Sequence, residues 1–199
     1  MLTFELEAAL EREGYTAVCG VDEAGRGPLC GPVAAAACIL PTGLVIEGLD
    51  DSKKLSEKKR EALYTEICEK AIAYSVVLGS VEEINETDIL STTLHAMRRA
   101  VEGLSVKADF ALIDGNITRG FTLPAKALVH ADAVSPSIAA ASILAKVTRD
   151  RICMELDKKY PQYGIARHKG YGTKAHMDAL REHGPCEIYR TKFIRFLDQ

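Results

Sequence analysis

The chain of 199 residues contains no apolar run approaching the ~20 residues that a membrane-crossing helix needs, so no membrane association is expected. It also lacks a basic, apolar leader. Residues 1–14 are instead rich in glutamate, with Glu5, Glu7, Glu11 and Glu13 beside Leu6 and Leu10, and they read as a short surface helix rather than a secretory signal. The six cysteines, Cys19, Cys30, Cys38, Cys68, Cys153 and Cys186, include no C-x-x-C pair, and no histidine stands at zinc-finger spacing from one. Zinc-finger and disulfide-scaffold classes are thereby set aside, and the thiols read as free residues, mostly buried, of a protein in a reducing cytoplasm. Internal repeats, low-complexity tracts and linkers are missing too. One catalytic domain over residues 1–199 is the expectation, about 1–160 forming a core and about 161–199 a basic helical C-terminal lobe.

Two nucleotide-binding fingerprints are absent. Gly25-x-Gly27 comes after strand-like sequence, but the next glycine, Gly31, stands one place late for G-x-G-x-x-G, and residues 32–40 beyond it are strand-like rather than helical. A dinucleotide-binding dehydrogenase fails on that spacing. No G-x-x-x-x-G-K-[ST] loop occurs, and Gly170-Tyr171-Gly172-Thr173-Lys174 is only a fragment of one.

What is present is the mix of a globular protein, 47% hydrophobic and 27% charged. The net charge of −3 hides an asymmetry: residues 146–199 hold 12 basic and 7 acidic residues, against 13 basic and 21 acidic in the remainder. A basic C-terminal quarter beside an acidic body suits a phosphate backbone.

Residues 16–24 read as a strand, followed by the turn Gly25-Arg26-Gly27-Pro28-Leu29-Cys30-Gly31 and a second small-residue strand over 32–40, an antiparallel hairpin. A helical pattern with Leu55, Leu63 and Ile67 runs through 51–70, Ser56 being its N-cap. Further strands are expected over 72–78, 108–113 and 125–130, with a helix over 89–104. Ser135 and Pro136 suit the N-cap and first position of a long helix reaching about Lys159, whose small residues Ala139 to Ser142 would let it lie close to a sheet. A last helix over about 174–182 stops at Gly184-Pro185. Five strands interleaved with helices make an α/β domain with a mixed sheet.

The chemistry resides in acids. Asp22 and Glu23 interrupt an apolar strand, and Asp114 and Asp132 follow two others. A strand-end aspartate is ordinarily a turn residue. Three aspartates and Glu23, none with an evident Lys or Arg partner nearby in sequence, are costly to bury unless they converge on a hard divalent cation, and all-oxygen ligation suits Mg²⁺ or Mn²⁺. Adjacent strand residues point to opposite faces, so a strand end or bulge is expected near Ala24, with Glu23 otherwise reaching the metal at longer range.

These blocks resemble a known family. Asp22-Glu23-Ala24-Gly25-Arg26-Gly27-Pro28, Asp51-Ser52-Lys53-Lys54-Leu55, Ile113-Asp114-Gly115, Ser137 to Val147 and His168-Lys169-Gly170-Tyr171-Gly172-Thr173 are together similar to bacterial ribonuclease HII. The related type 3 enzymes usually differ in the glycine loop and carry an extra N-terminal domain. The resemblance implies a ribonuclease H-like fold: a five-stranded mixed sheet flanked by helices, with a C-terminal helical extension. It implies cleavage of the RNA strand of RNA–DNA hybrids and incision 5′ of single ribonucleotides in duplex DNA, leaving 5′-phosphate and 3′-hydroxyl ends by two-metal-ion hydrolysis. It places the catalytic and metal-binding acids at Asp22, Glu23, Asp114 and Asp132, a ribose-reading loop at Gly25, Arg26 and Gly27, and a partner tyrosine at Tyr171. The family pattern departs at His130, before Ala131-Asp132, and in the tail from Ile188 to Phe193. Lys53 is the preferred phosphate contact among Lys53, Lys54, Lys146, Lys169, Lys174 and Arg190. The remaining histidines, His95, His168, His176 and His183, read as surface or cap residues. A monomer in the cytoplasm is expected. The rival readings are a different phosphoryl-transfer enzyme on the same acids and a non-catalytic nucleic-acid-binding module.

Overall fold

Gly20 lies mid-strand because a helix backbone rests on it. A Cβ there would stand 2.1 Å from the Ser137 carbonyl carbon and 2.2 Å from the Ile138 nitrogen. This contact fixes the architecture in the computed structural model, which describes residues 2–198. The elements run α1 (Glu5–Arg12), β1 (Val18–Ala24), β2 (Val33–Ile39), α2 (Glu57–Lys70), β3 (Ala73–Gly79), α3 (Val81–Glu86), α4 (Ile89–Glu102), β4 (Phe110–Asp114), β5 (Ala125–Leu128), α5 (Pro136–Lys159), α6 (Ile165–His168) and α7 (Lys174–His183). The strands form one sheet in the order β3-β2-β1-β4-β5. β1–β2 and β2–β3 pair antiparallel, while β1–β4 and β4–β5 are parallel.

Side chains on a strand alternate between faces, and both faces are covered. Cys19, Val21, Ala35, Ala37, Ala111 and Ile113 pack against Leu94, Met97 and Val101 of α4. Ala34, Ala36 and Cys38 meet Ala140, Ala141, Leu144 and Ala145 of α5, with Leu63 and Ile67 of α2. The alanines of β2 and α5 keep the layers close. A third core joins Cys30 of the β1–β2 loop and Cys153 of α5 to Tyr163, Ile165, Leu180 and Tyr189, so the C-terminal helices pack on α5 beside the glycine loop.

Local signals account for most boundaries. Ser56, Ser80, Asp88, Ser135 and Thr173 each cap a helix through the side-chain oxygen. The expected 51–70 helix is divided: Ser52–Lys54 is a separate 3-10 turn before α2. α3 was not anticipated, although Ser80 and Glu83 form a capping box that marks its start. Glu7 departs from the surface-helix reading. It is 2% exposed and accepts hydrogen bonds from Ser135 Oγ at 2.6 Å and Ser137 N at 3.3 Å, docking α1 on the positive end of α5. All six thiols are free, four of them buried, and burial pushes Cys19 and Cys30 up to about 12, so both stay protonated. Among the described residues no helix is long and apolar enough to cross a membrane.

Gly20→Ala tests the seating of α5. Overpacking usually costs about 1–3 kcal/mol, and a clash with backbone cannot be relieved by a rotamer. Thermal melting should fall by roughly 2–4 °C per kcal/mol lost, to at least the upper end of that range. An unchanged Tm would mean that α5 does not sit on Gly20.

Candidate active site

The register brings the acids together. Gly20 faces α5, so Asp22, two residues on, faces α5 as well. Val21 pairs with Ile113 in the parallel β1–β4 ladder, which puts Asp114 beside Asp22 on the same face. Asp132 arrives from the 3-10 turn Ala131–Ala133 between β5 and α5. One carboxylate oxygen from each of Asp22, Asp114 and Asp132 lies within 4.8 Å of the others. Two of the acids are aimed by backbone: Glu23 N donates to Asp22 Oδ1 at 2.7 Å, and Ala131 N to Asp114 Oδ1 at 2.8 Å.

Glu23 lies outside this trio. The β1–β2 pairing is regular from Gly20 to Ala24, so no bulge turns it inward; the strand simply ends at Ala24 before Gly25, whose φ is +99°. Glu23 therefore starts from the α4 face, borders the cleft at its edge, and meets Arg26 Nη1 at 3.5 Å.

The electrostatics are those of crowded anions in a poorly solvated place. Burial, followed by repulsion from Glu23 and Asp114, raises the Asp22 pKa well above the carboxylate range, against a hydrogen bond from Ser142. Burial also raises Glu23, with Arg26 opposing, and raises Asp132, with Asp114 and Asp51 adding to the effect. Lys53 Nζ stands 3.9 Å from Asp132 Oδ2. Burial disfavours its charge, but Asp132, Asp51, Asp22 and Asp114 outweigh burial and raise its pKa. With a side chain 75% exposed, Lys53 remains well solvated and cannot neutralise three acids. Asp132 Oδ2 is buried and accepts no hydrogen bond. A buried oxygen without a donor, two further carboxylates within reach and an all-oxygen donor set fit a hard divalent cation.

Asp22, Glu23 and Asp114 open into a cleft of about 220 Å³ that also includes Gly25, Arg26, Gly27, Ser52, Lys53, Ser142, Lys146, Arg149 and Tyr171. A larger hollow of about 340 Å³ lies around Ala108 and Phe121, at the other end of β4. It has no carboxylate cluster, and the chemistry favours the smaller cleft.

The glycine loop is held from behind. Arg190, fully buried, donates to the carbonyls of Gly25 (2.7 Å), Arg26 (3.0 Å), Pro28 (2.8 Å) and Gly31 (2.8 and 3.0 Å). Arg149, 1% exposed, donates to the carbonyls of Cys30, Pro32 and Lys169. A Cβ on Gly25 would stand 2.0 Å from Arg149 Nε, so only glycine fits. With its carbonyls turned back to the guanidiniums, the loop leaves the N–H groups of Arg26 and Gly27 without a protein acceptor among the described residues. Tyr171, 47% exposed, overhangs the loop: a Cβ on Gly27 would meet its ring at 3.4 Å.

Arg190 is thus a scaffold for the loop rather than a free cation for phosphate. Lys54 pairs with Asp50, Lys169 with Glu57 and Lys174 with Asp178. Lys146 lines the cleft, its Nζ 2.7 Å from Asp150, which also faces Arg60. Arg60 in turn donates to the carbonyls of Ser52 and Leu55, and Ser52 Oγ contacts Ser142 Oγ at 2.9 Å. Sequence reasoning passed over Ser142, Arg149 and the fixing of the Lys53 turn. The available signal was a polar residue within the otherwise apolar face of α5. His176 likewise is fully buried, not a surface or cap residue.

The comparisons agree with this geometry. The family model described as Ribonuclease HII matches residues 19–196. Ribonuclease HII of Burkholderia mallei (strain SAVP1) is 59% identical over 176 residues, covering 88% of this chain and 82% of that one. The crystal structure of ribonuclease H2 from Pyrococcus horikoshii OT3 superposes with a TM-score of 0.77 at 26% identity, over 92% of this chain and 97% of that one. Bst-RNase HIII, solved in complex with Mn²⁺, shares the fold with a TM-score of 0.65 at 18% identity, over 88% of this chain and 73% of that one.

Because folding raises the Asp22 pKa, its contribution to stability in chelator is fullest below the unfolded value and is lost as pH rises through the raised folded value. Asp22→Asn keeps the acceptor for Glu23 N while removing the charge. In EDTA near pH 7.5 its Tm should exceed that of the parent, by roughly 2–4 °C per kcal/mol of repulsion relieved, and the stabilisation of the parent by Mn²⁺ should disappear. A chelated variant melting below the parent, or one still stabilised by Mn²⁺ to the same degree, would contradict the crowding argument.

Proposed function

Because the chain belongs to the ribonuclease HII family, whose members are ribonuclease H endonucleases, we propose that it cleaves the RNA strand of RNA–DNA hybrids and incises duplex DNA 5′ of single embedded ribonucleotides. The observation that carries this reading is a juxtaposition: Asp22 and Asp114, with Asp132 clustered beside them, line one cleft with two unclaimed backbone N–H groups and an overhanging tyrosine. A DNA nuclease needs the acids but not the reader of a hydroxyl.

In this reading Asp22, Asp114 and Asp132 hold Mg²⁺ or Mn²⁺, with Glu23 contributing from the edge of the cleft. Two such ions, when bound, supply activation of a water for in-line attack on phosphorus and stabilisation of the leaving 3′ oxygen, yielding 5′-phosphate and 3′-hydroxyl ends. The chain's own part is positioning. Backbone hydrogen bonds to Asp22 and Asp114 fix two of the acids before substrate arrives. The N–H groups of Arg26 and Gly27 donate to the ribose 2′-hydroxyl, the group by which RNA differs from DNA. Tyr171, whose ring lies over Gly27, packs on the neighbouring sugar. Lys53, beside Asp132, meets the phosphate. Residues 1–160 and 161–199 act as one catalytic unit, since the loop shaped by the C-terminal segment borders the acids. The setting is the cytoplasm and the working form a monomer.

A single gel separates this reading from a DNA nuclease or a binding module. Duplex DNA with one ribonucleotide should be cut at that position with Mg²⁺ or Mn²⁺, all-DNA should be cut roughly 10⁴-fold less, and chelator should abolish cleavage. Asp132→Asn should stay folded and lose about 10³-fold or more in rate, some 4 kcal/mol of barrier. Equal cutting of the all-DNA duplex, or full activity of the variant, would overturn the proposal.

A further inference from the structure

Behind Tyr171 lies a set of buried rings that the cleft does not use. His176, in α7, is fully buried. Its Nδ1 is 2.9 Å from the Tyr171 carbonyl oxygen and its Nε2 is 2.9 Å from the Tyr189 hydroxyl. A carbonyl only accepts, so Nδ1 carries the proton and Nε2 accepts from Tyr189. His168, in α6, stacks on this ring with centroids 4.1 Å apart and planes 19° from parallel. Gly170 N donates to His168 Nδ1 at 3.2 Å, so His168 Nε2 carries its proton and donates to the Tyr163 carbonyl at 3.0 Å. All four ring nitrogens are matched.

This arrangement joins the two recognition elements. One end holds the backbone of Tyr171. The other end is Tyr189, whose chain neighbour Arg190 gathers the carbonyls of the glycine loop. The groups facing His176 are His168 from α6, Tyr171 and the Gly170 backbone from the connecting loop, and Tyr189 from the C-terminal segment; Tyr163 packs edge-on against Tyr189. No carboxylate pairs with either ring among the described residues, where the only histidine–carboxylate pair is His95 with Glu83. Burial, reinforced by His168, keeps the His176 pKa below the ordinary histidine value.

We infer that His176 is a positioning residue for ribonucleotide recognition: its imidazole ties the Tyr171 carbonyl to the Tyr189–Arg190 segment and so holds Tyr171 over Gly27. This inference rests on the proposed incision at single ribonucleotides. A histidine that merely filled the core would alter stability without altering the choice between substrates.

The test measures kcat and KM on two duplexes, a uniform RNA–DNA hybrid and DNA with one ribonucleotide, at neutral pH and fixed Mn²⁺. His176→Leu should lower the kcat/KM ratio of single-ribonucleotide duplex to hybrid about tenfold, through KM, as expected for loss of about one buried hydrogen bond. His176→Asn, whose amide replaces the Nδ1 donor, should restore a ratio near that of the parent, and Tyr189→Phe should lower it; melting curves establish that each variant is folded. If His176→Leu unfolds, the other two variants decide. A folded His176→Leu or Tyr189→Phe with the parent's ratio, or variants whose kcat falls in step on both substrates, overturns the role of His176 alone. A parent that never incises the single-ribonucleotide duplex overturns the proposed function and this inference with it.

Discussion

Three carboxylates that repel one another are held together by a sheet that cannot let them part. The parallel pairing of β1 with β4 sets Asp22 next to Asp114, and the turn after β5 brings in Asp132 while its Ala131 N–H grips Asp114. Neither Asp22 nor Asp114 can withdraw to solvent without breaking strand register, and a one-residue slip would turn Asp22 to the opposite face. The repulsion thus remains in the folded chain as raised proton affinity at Asp22 and Asp132. The same stored repulsion is what makes a divalent cation welcome, because binding relieves it instead of competing with internal ion pairs. Lys53 and Arg26 stand at the edges of the acids and moderate this without removing it.

The second constraint is the pair of buried guanidiniums. Arg149 and Arg190 have no carboxylate partner among the described residues, yet both are satisfied by backbone carbonyls from the glycine loop and its neighbours. Burial, with repulsion from Arg149, lowers Arg190 to about 10, which leaves it charged at neutral pH. A fixed positive charge that consumes carbonyls orients the loop's N–H groups the other way, so Arg190 shapes a surface it does not itself line. Gly25 is required here on two counts: a positive φ and the Arg149 side chain where a Cβ would be.

Much of this was legible in the sequence, for identifiable reasons. The strand–loop–strand unit, Ser56 and Ser135 as caps, and the small-residue face of the long helix are all local signals, and each element formed where those signals stood. The acids were conspicuous because apolar strands rarely carry Asp-Glu. Illegible were the facts that depend on which segments meet. Arg190 looks like any basic tail residue until the loop it clamps is beside it. His176 looks like a helix-surface histidine until α6 stacks another ring upon it. Glu7 follows surface periodicity, yet the start of α5 draws it inward. The division of 51–70 came from Arg60, which takes the carbonyls of Ser52 and Leu55 and so ends the first turn.

Under the proposed function, changes in the two parts of the cleft would have separable effects. The acids would stand before the same phosphodiester whichever duplex is bound, so a change in how they hold a cation would alter the rate on both substrates alike and cancel from the ratio between them. What survives in that ratio would come from the groups proposed to distinguish the substrates, the glycine loop and Tyr171, and from whatever fixes them. A reader built on backbone N–H groups and one exposed ring would lose selectivity while keeping its cation only if its support moved, and in this fold that support is Arg190 behind the loop and His176 behind the ring.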